Sequence, residues 1–333
     1  MYPDTRLHYT SPHPLGPMAI APAQILGMCR LGRDDQQPDW PLQSVRMPVL
    51  GPATAGMQEV WHTSLPAQDG RFHDIHYRRA GGLLFGVITL DEGQFAMQDG
   101  ATALQTLAES AYRQLFALLD AQHCPHLWRV WNYIPRINVE EHGMERYRQF
   151  NIGRHQAFAG SRRPVHGSPA ACALGTADGP VSIAFLAADS PALPIENPRQ
   201  VSAFAYPQQY GPVSPTFSRA ALAGQPGAQW LFISGTASII GHLTVHVGDV
   251  AAQTAETFAN IAILLEQANR QQPRQPFTLA GLDYRVYVRH AADYPAVRAA
   301  VLAQLGEDSR VVYVQADICR ADLLVEIEAQ GAG

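Results

Sequence analysis

Near its end the chain alternates with period two: Leu323, Val325 and Ile327 point one way, Leu324, Glu326 and Glu328 the other. Two carboxylates on an otherwise aliphatic strand mark either a solvated outer face or a working site. Upstream, the apolar run over 83–90 followed by Asp-Glu-Gly predicts a strand and a turn. Apolar residues at 104, 107, 108, 111, 115, 118 and 119 have helical spacing and predict a helix over 104–121. HLWRVWNY (126–133) predicts a second strand stopped by Pro135. Residues 144–158 predict a second helix with Gly153 as its weak point. Residues 170–174 and 181–187 predict a hairpin across 176–180.

The same order returns in the second half, so the chain carries an internal repeat. Residues 231–235 (LFISG) answer 84–86, the helix at 255–260 answers 104–109, and RVYVR (285–289) answers RVWNY (129–133). A helix over 295–305 answers 144–158, and VEIE (325–328) answers VSIA (181–184). FSRA (217–220) stands before the second unit as YRRA (77–80) stands before the first. Each half therefore predicts an α+β unit, a mixed sheet with helices packed on one face. The expected boundaries are an N-terminal extension at 1–75, a first repeat at 76–190, a Pro-rich linker at 191–214 and a second repeat at 215–330. The extension, rich in Pro, Gly and Gln, predicts short strands and no long helix.

The comparison of halves matters most where it fails. Ser182 and Ala184 stand where the second repeat carries Glu326 and Glu328. A solvated face would tolerate carboxylates in either copy, so their restriction to one copy points to one working site and one structural copy.

Bulk properties narrow the function classes. A net charge of −5 gives no reason to expect nucleic acid, which needs a basic patch. No apolar run approaches the ~20 residues of a membrane span, and residues 1–6 do not start a signal peptide. Cys29, Cys124, Cys172 and Cys319 lie far apart, which suits reduced thiols in a cytoplasm. His242 and His246 share a strand face without a Cys or acidic partner at metal spacing, so no metal site is expected. Gly-rich phosphate loops are absent from the sequence.

The segments FISG (232–235), GDVAAQTAETFANI (248–261), VYVRHAADYPAV (286–297) and VEIEA (325–329) resemble the YjgF/RidA superfamily, and the first repeat shows the pattern more weakly. RYRQFNIGRHQAF (146–158), the stretch 195–220, FISGTASIIGH (232–242) and DICRADLLVEIEA (317–329) are similar to the chorismatase family, which is built on two such repeats. The resemblance covers most of the chain after residue 76. It implies cleavage of chorismate to pyruvate and a ring product, without a cofactor. Cys319, seven positions before Glu326, resembles the members that release 3- or 4-hydroxybenzoate. The alternatives are hydrolysis to a dihydroxycyclohexadiene carboxylate, a RidA-like enamine/imine deaminase and a non-catalytic binding module. The arginine of a RidA-like deaminase falls here on Val311, with Arg310 on the other strand face, which argues against deamination.

Chorismate carries two carboxylates and a vinyl ether, so its cleavage calls for a buried acid and for arginines. Glu326 is the expected general acid, with Glu328 raising its proton affinity, and Cys319 is the second catalytic candidate. Arg148, Arg154, Arg219 and Arg289 are the candidates for the substrate carboxylates. Tyr206 and Tyr210 are candidates for the ring hydroxyls or for anchoring the linker. Gly235 allows close approach to the backbone or makes a turn. The expected assembly is a monomer or a small homo-oligomer.

Overall fold

The computed structural model describes residues 6–32, 38–52, 56–97, 100–161, 163, 167–225 and 227–333. Residues 1–5, with which the stretch read for a signal peptide begins, and parts of the N-terminal extension lie outside them.

Among the described residues the N-terminal segment is built of short strands, with one 3-10 turn at Pro22–Gln24. β1 (Leu7–Pro14), β2 (Ile25–Leu31), β3 (Leu42–Val45), β4 (Val49–Leu50) and β5 (Met57–Thr63) follow one another, and four of them form a sheet in the order β1-β5-β2-β3. β4 leaves that sheet for the edge of the second repeat.

The first repeat contains β6 (Gln68–Phe72), β7 (Ile75–Ala80), β8 (Leu83–Leu90), α1 (Ala103–Ala121) and β9 (His126–Pro135). A two-residue ladder, β10 (Glu140–Glu141) with β11 (Met144–Glu145), leads into α2 (Arg146–Gly160), β12 (Ala170–Thr176) and β13 (Val181–Ala188). The second contains β14 (Leu193–Ile195), β15 (Ala220–Gln225), β16 (Ala228–Thr236) and the short ladder β17 (Ile239–Ile240) with β18 (Leu243–Thr244). It continues through α3 (Val250–Gln271), β19 (Asp283–Val288), α4 (Tyr294–Leu305), β20 (Arg310–Gln315), β21 (Asp317–Ile318) and β22 (Val325–Ala332). Thr102 caps α1 and Asp249 caps α3, each accepting from a backbone N–H three residues on.

The sheets run β21-β12-β9-β13-β8-β7-β6 and β14-β15-β16-β22-β19-β20-β4. The order β7-β8-β13-β9-β12 in the first is matched by β15-β16-β22-β19-β20 in the second, so the duplication read from the sequence is a duplication of topology. The strands expected to close each half as a hairpin are not neighbours. β9 lies between β12 and β13, and β19 between β20 and β22. β12 is parallel to β9 and β20 to β19, and a parallel pair needs a crossover, which α2 and α4 supply.

Register also moves one equivalence. Ser182 pairs with Tyr133 and Glu326 with Tyr287. With 325–328 matched to 181–184, Tyr287 therefore corresponds to Tyr133, and Arg285 to Trp131 rather than Arg129. YRRA (77–80) is itself part of a strand, and β7–β8 register puts Arg219 opposite His76 in this comparison, not Arg79.

Alternation on the strands splits the interior into layers. Val181, Ile183 and Phe185 face α1 and α2, while Val325, Ile327 and Ala329 face α3 and α4. The helix-free faces meet in a core shared with the N-terminal sheet, where Trp61 lies between Trp131 and Trp230 at ring separations of 6.1 and 5.3 Å. Gly153 is not a weak point of its helix. A Cβ there would run into the Gln105 carbonyl and Ala108, so glycine lets α2 lie close on α1.

Candidate active site

The last strand, β22, turns Glu326 and Glu328 inward, between the two sheets, where they are 3 % and 4 % exposed. The solvated face is excluded. Glu328 is ion-paired to Arg129 across the repeats, with Arg285 Nη1 3.3 Å away. Among the described residues Glu326 has no arginine partner. Burial, with the negative charge of Glu328 behind it, pushes its carboxyl up to about 8, and Arg129, Arg289 and the Cys319 thiol offset this only in part. At neutral pH Glu326 therefore holds its proton.

Glu326 forms the floor of a cavity of about 360 Å³, within the range of small-molecule sites. The cavity sits on the seam between the repeats. β16 brings Gly235, the segment after β21 brings Cys319 and Arg320, the start of α2 brings Tyr147 and Arg148, the linker brings Tyr206, and the residue directly before β15 is Arg219. The short β21 pairs with β12 of the first repeat, which ties the Cys319 segment to the opposite sheet.

Cys319 Sγ lies 3.9 Å from Glu326 Oε2. Burial, then the Glu326 charge, pushes its thiol up to about 12, so it is protonated and is a donor rather than a nucleophile. Gly235 stands against the acid on the other side. A Cβ there would overlap Glu326 Oε1 and lie 2.8 Å from Cδ.

Three cations also line the cavity. Arg219 Nη2 donates to Val201 O at 2.7 Å and to Tyr206 Oη at 2.8 Å, and its guanidinium stacks over the rings of Tyr206 and Phe217. Its buried Nε has no partner among the described residues, so part of its fork is unspent. Arg148 is more exposed and leans on Glu145 (3.4 Å) and on Gln209 O (3.4 Å). Arg320 Nη1 donates to His242 O at 2.8 Å while its guanidinium lies 4.0 Å from the ring centre of Tyr210. Tyr210 reaches the same carbonyl at 2.6 Å. It anchors the linker to the β17–β18 hairpin.

Of the residues singled out from sequence, Glu326, Cys319, Arg148, Tyr206, Tyr210, Arg219 and Gly235 share this cavity. Arg154 and Arg289 do not. Arg154 is six residues from Arg148, which on a helix turns it to another face. It is buried against α1, its guanidinium 5.0 Å from the Tyr112 ring centre. Arg289 spends its fork on the protein: it donates to the carbonyls of Leu323, Ile318 and Arg320, to Asn138 and to Asp317. It holds the Cys319 segment in shape from behind.

Sequence reasoning missed Arg320, Tyr147 and Glu145. Arg320 was legible as the neighbour of Cys319 in DICRADLL. Tyr147 carried no signal beyond its place beside Arg148; burial raises its hydroxyl's proton affinity, and the charges of Cys319 and Glu326 act in the same direction. Glu145 lines the cavity, as Asp322 does, and its proton affinity is raised by burial.

A buried carboxylic acid and three guanidinium groups lining one cavity suit a small anionic substrate that is protonated during reaction. The comparisons with known proteins point the same way. A family model described as "Chorismatase FkbO/Hyg5-like, N-terminal" matches residues 59–187. A chorismatase of Streptomyces rapamycinicus is 39% identical over 277 residues, 81% of this chain and 80% of that protein. A 3-hydroxybenzoate synthase of Streptomyces hygroscopicus is 35% identical over 290 residues, 84% and 83% of the two chains. A chorismatase crystal structure superposes with a TM-score of 0.87 at 32% identity, covering 100% of this chain and 99% of the other. The chain belongs to the chorismatase family.

Proposed function

We propose that this enzyme cleaves chorismate into pyruvate and a hydroxybenzoate, with Glu326 as the general acid. The observation that carries the reading is the buried Glu326 carboxyl, without an arginine partner among the described residues, in a cavity lined by Arg148, Arg219 and Arg320. Protonation of the vinyl methylene leaves an oxocarbenium ion at the ether carbon. The bond between the ring carbon and the ether oxygen then breaks, its electron pair going to oxygen, and pyruvate leaves. The neighbouring ring hydroxyl attacks the carbon that pyruvate leaves, and its proton returns to Glu326. Opening of that oxygen bridge and loss of a ring proton complete the aromatic ring, so substrate equals the sum of the products and no cofactor takes part. The Cys319 thiol, beside the acid, is placed to steer the opening.

Incubation with chorismate, with pyruvate followed enzymatically and the ring product identified by chromatography, tests the reading. No pyruvate above background overturns it, and a dihydroxycyclohexadiene carboxylate as ring product moves the enzyme to hydrolysis. Arg219→Ala raises KM for chorismate by roughly 10- to 100-fold, since a charged hydrogen bond contributes about 1.5–3 kcal/mol. An unchanged KM removes Arg219 from substrate binding. Cys319→Ala leaves pyruvate release largely intact while altering the ratio of 3- to 4-hydroxybenzoate. An identical ratio would take the thiol out of the ring step.

Among the described residues no helix is long and apolar enough to cross a membrane. We place the enzyme in the cytoplasm as a monomer or small homo-oligomer, which sedimentation of the purified protein decides.

A further inference from the structure

The core between the sheets holds four charged side chains that the reaction above does not use. Glu59 comes from β5 of the N-terminal sheet, Arg129 from β9 of the first repeat, and Arg285 and Glu328 from β19 and β22 of the second. All four are buried, and two cations balance two anions. Arg285 spends its fork on Glu59, through Nε at 3.2 Å and through Nη2. Only Nη1 is left for Glu328, at 3.3 Å, and it is shared with the hydroxyls of Tyr133 and Tyr287. Arg129 closes the other side of Glu328.

Glu328 is thus clamped, and clamped by edges rather than by a full fork. It stands two residues from Glu326 on the same strand face, about 7 Å along the backbone. The groups that face Glu326 come from every surrounding element: Glu328 on its own strand, Arg129 on β9, Arg289 just past β19, Cys319 after β21, Cys172 on β12 and Tyr147 on α2. The cavity wall adds Glu145, Arg148, Arg219, Arg320 and Asp322. Among the charges, Glu328 contributes most to the raised proton affinity of Glu326, and Arg129 and Arg289 oppose it.

We propose that Glu328 is a positioning residue for the reaction, acting through Glu326, and that Glu59 of the N-terminal sheet supports it by occupying the fork of Arg285. The inference rests on Glu326 being the acid. It gives the N-terminal sheet a part in the chemistry: Glu59 keeps Arg285 from cancelling the charge behind the acid. The direction agrees with the raised proton affinity of Glu326, to which Glu328 contributes after burial itself.

The test is the pH dependence of kcat for pyruvate release. In Glu328→Gln the core keeps a surplus cation, Glu326 ionises earlier, and the alkaline limb moves down by about one pH unit. Adding Arg129→Gln removes the surplus cation and brings the limb back up, where two purely structural lesions would compound. Glu59→Gln, which leaves the catalytic strand untouched, moves the limb down by a smaller amount and serves if Glu328→Gln does not fold. A limb that stays at the wild-type pH in both Glu328→Gln and Glu59→Gln overturns the inference while the acid stands. A fully active Glu326→Gln enzyme overturns the acid and the inference with it.

Discussion

Glu326→Gln releases pyruvate on the order of 10²–10⁴ times more slowly than the wild type, the usual contribution of a positioned general acid. The amide keeps the shape of the carboxyl and its place on β22, so the substrate cavity persists and KM changes little. The loss falls on kcat because proton transfer to the vinyl methylene belongs to the transition state alone. In the wild type, kcat falls as pH rises through about 8, where Glu326 gives up its proton. The residual rate of the variant lacks that limb. Wild-type kcat in Glu326→Gln, measured over pH 5 to 9, would falsify the assignment.

The same substitution stabilises the protein at alkaline pH. The Glu326 carboxyl titrates at about 8 in the fold against 4.5 for an ordinary glutamate. Between those values the folded state holds a proton that the unfolded chain does not. Stability from this group therefore falls as pH rises through the interval, by about 1.4 kcal/mol per pH unit. Glutamine has no proton to lose. The Tm of Glu326→Gln rises relative to wild type between pH 5 and pH 8, and an equal Tm difference at both pH values would count against a buried, protonated acid. Activity and stability then move in opposite directions in one variant, as expected where a fold keeps an uncomfortable group for its chemistry.

The duplication was legible because strand alternation and helical spacing are local, and they recur at matching positions in both halves. Pairing is not local. Nothing in 170–187 or 310–328 says that β9 or β19 slips between the flanking strands, and a stretch of chain that reads as a hairpin became two strands separated by a third. The two-residue offset that sets Arg285 against Trp131 has the same origin, since register is fixed by partners far away in sequence. The site shows the same division. Glu326 was legible from a mismatch between copies, and Cys319 only through the resemblance to the hydroxybenzoate-forming chorismatases. Arg154 and Arg289 were plausible by segment and failed by direction: one is on the wrong helix face, and the other is consumed by carbonyls of the segment it braces. Glu59 was beyond reach of the sequence, because the ion pair it makes with Arg285 spans 226 positions.

Gly235→Ala lowers kcat by roughly 10²-fold, the scale that follows when a reacting group is displaced by about 1 Å. No unusual backbone conformation demands glycine here. The demand is space: an alanine Cβ would overlap Oε1 of Glu326, with Cδ at 2.8 Å and Cys172 Cβ at 3.3 Å. Cys172 is buried between the sheets and cannot yield, whereas the end of the Glu326 side chain can rotate away. The collision is therefore relieved by moving the acid, not by opening the sheet. That places the cost on catalysis and spares most of the stability. KM stays within about threefold, because Arg219 and Arg148 lie outside the collision, and the Tm falls by only a few degrees, as for about 1 kcal/mol. Steady-state kinetics and thermal melts of the purified variant check both halves. Wild-type kcat in Gly235→Ala would mean that the carboxyl works equally well from a second position, and a collapse of KM with kcat intact would move Gly235 from supporting the acid to shaping the substrate pocket.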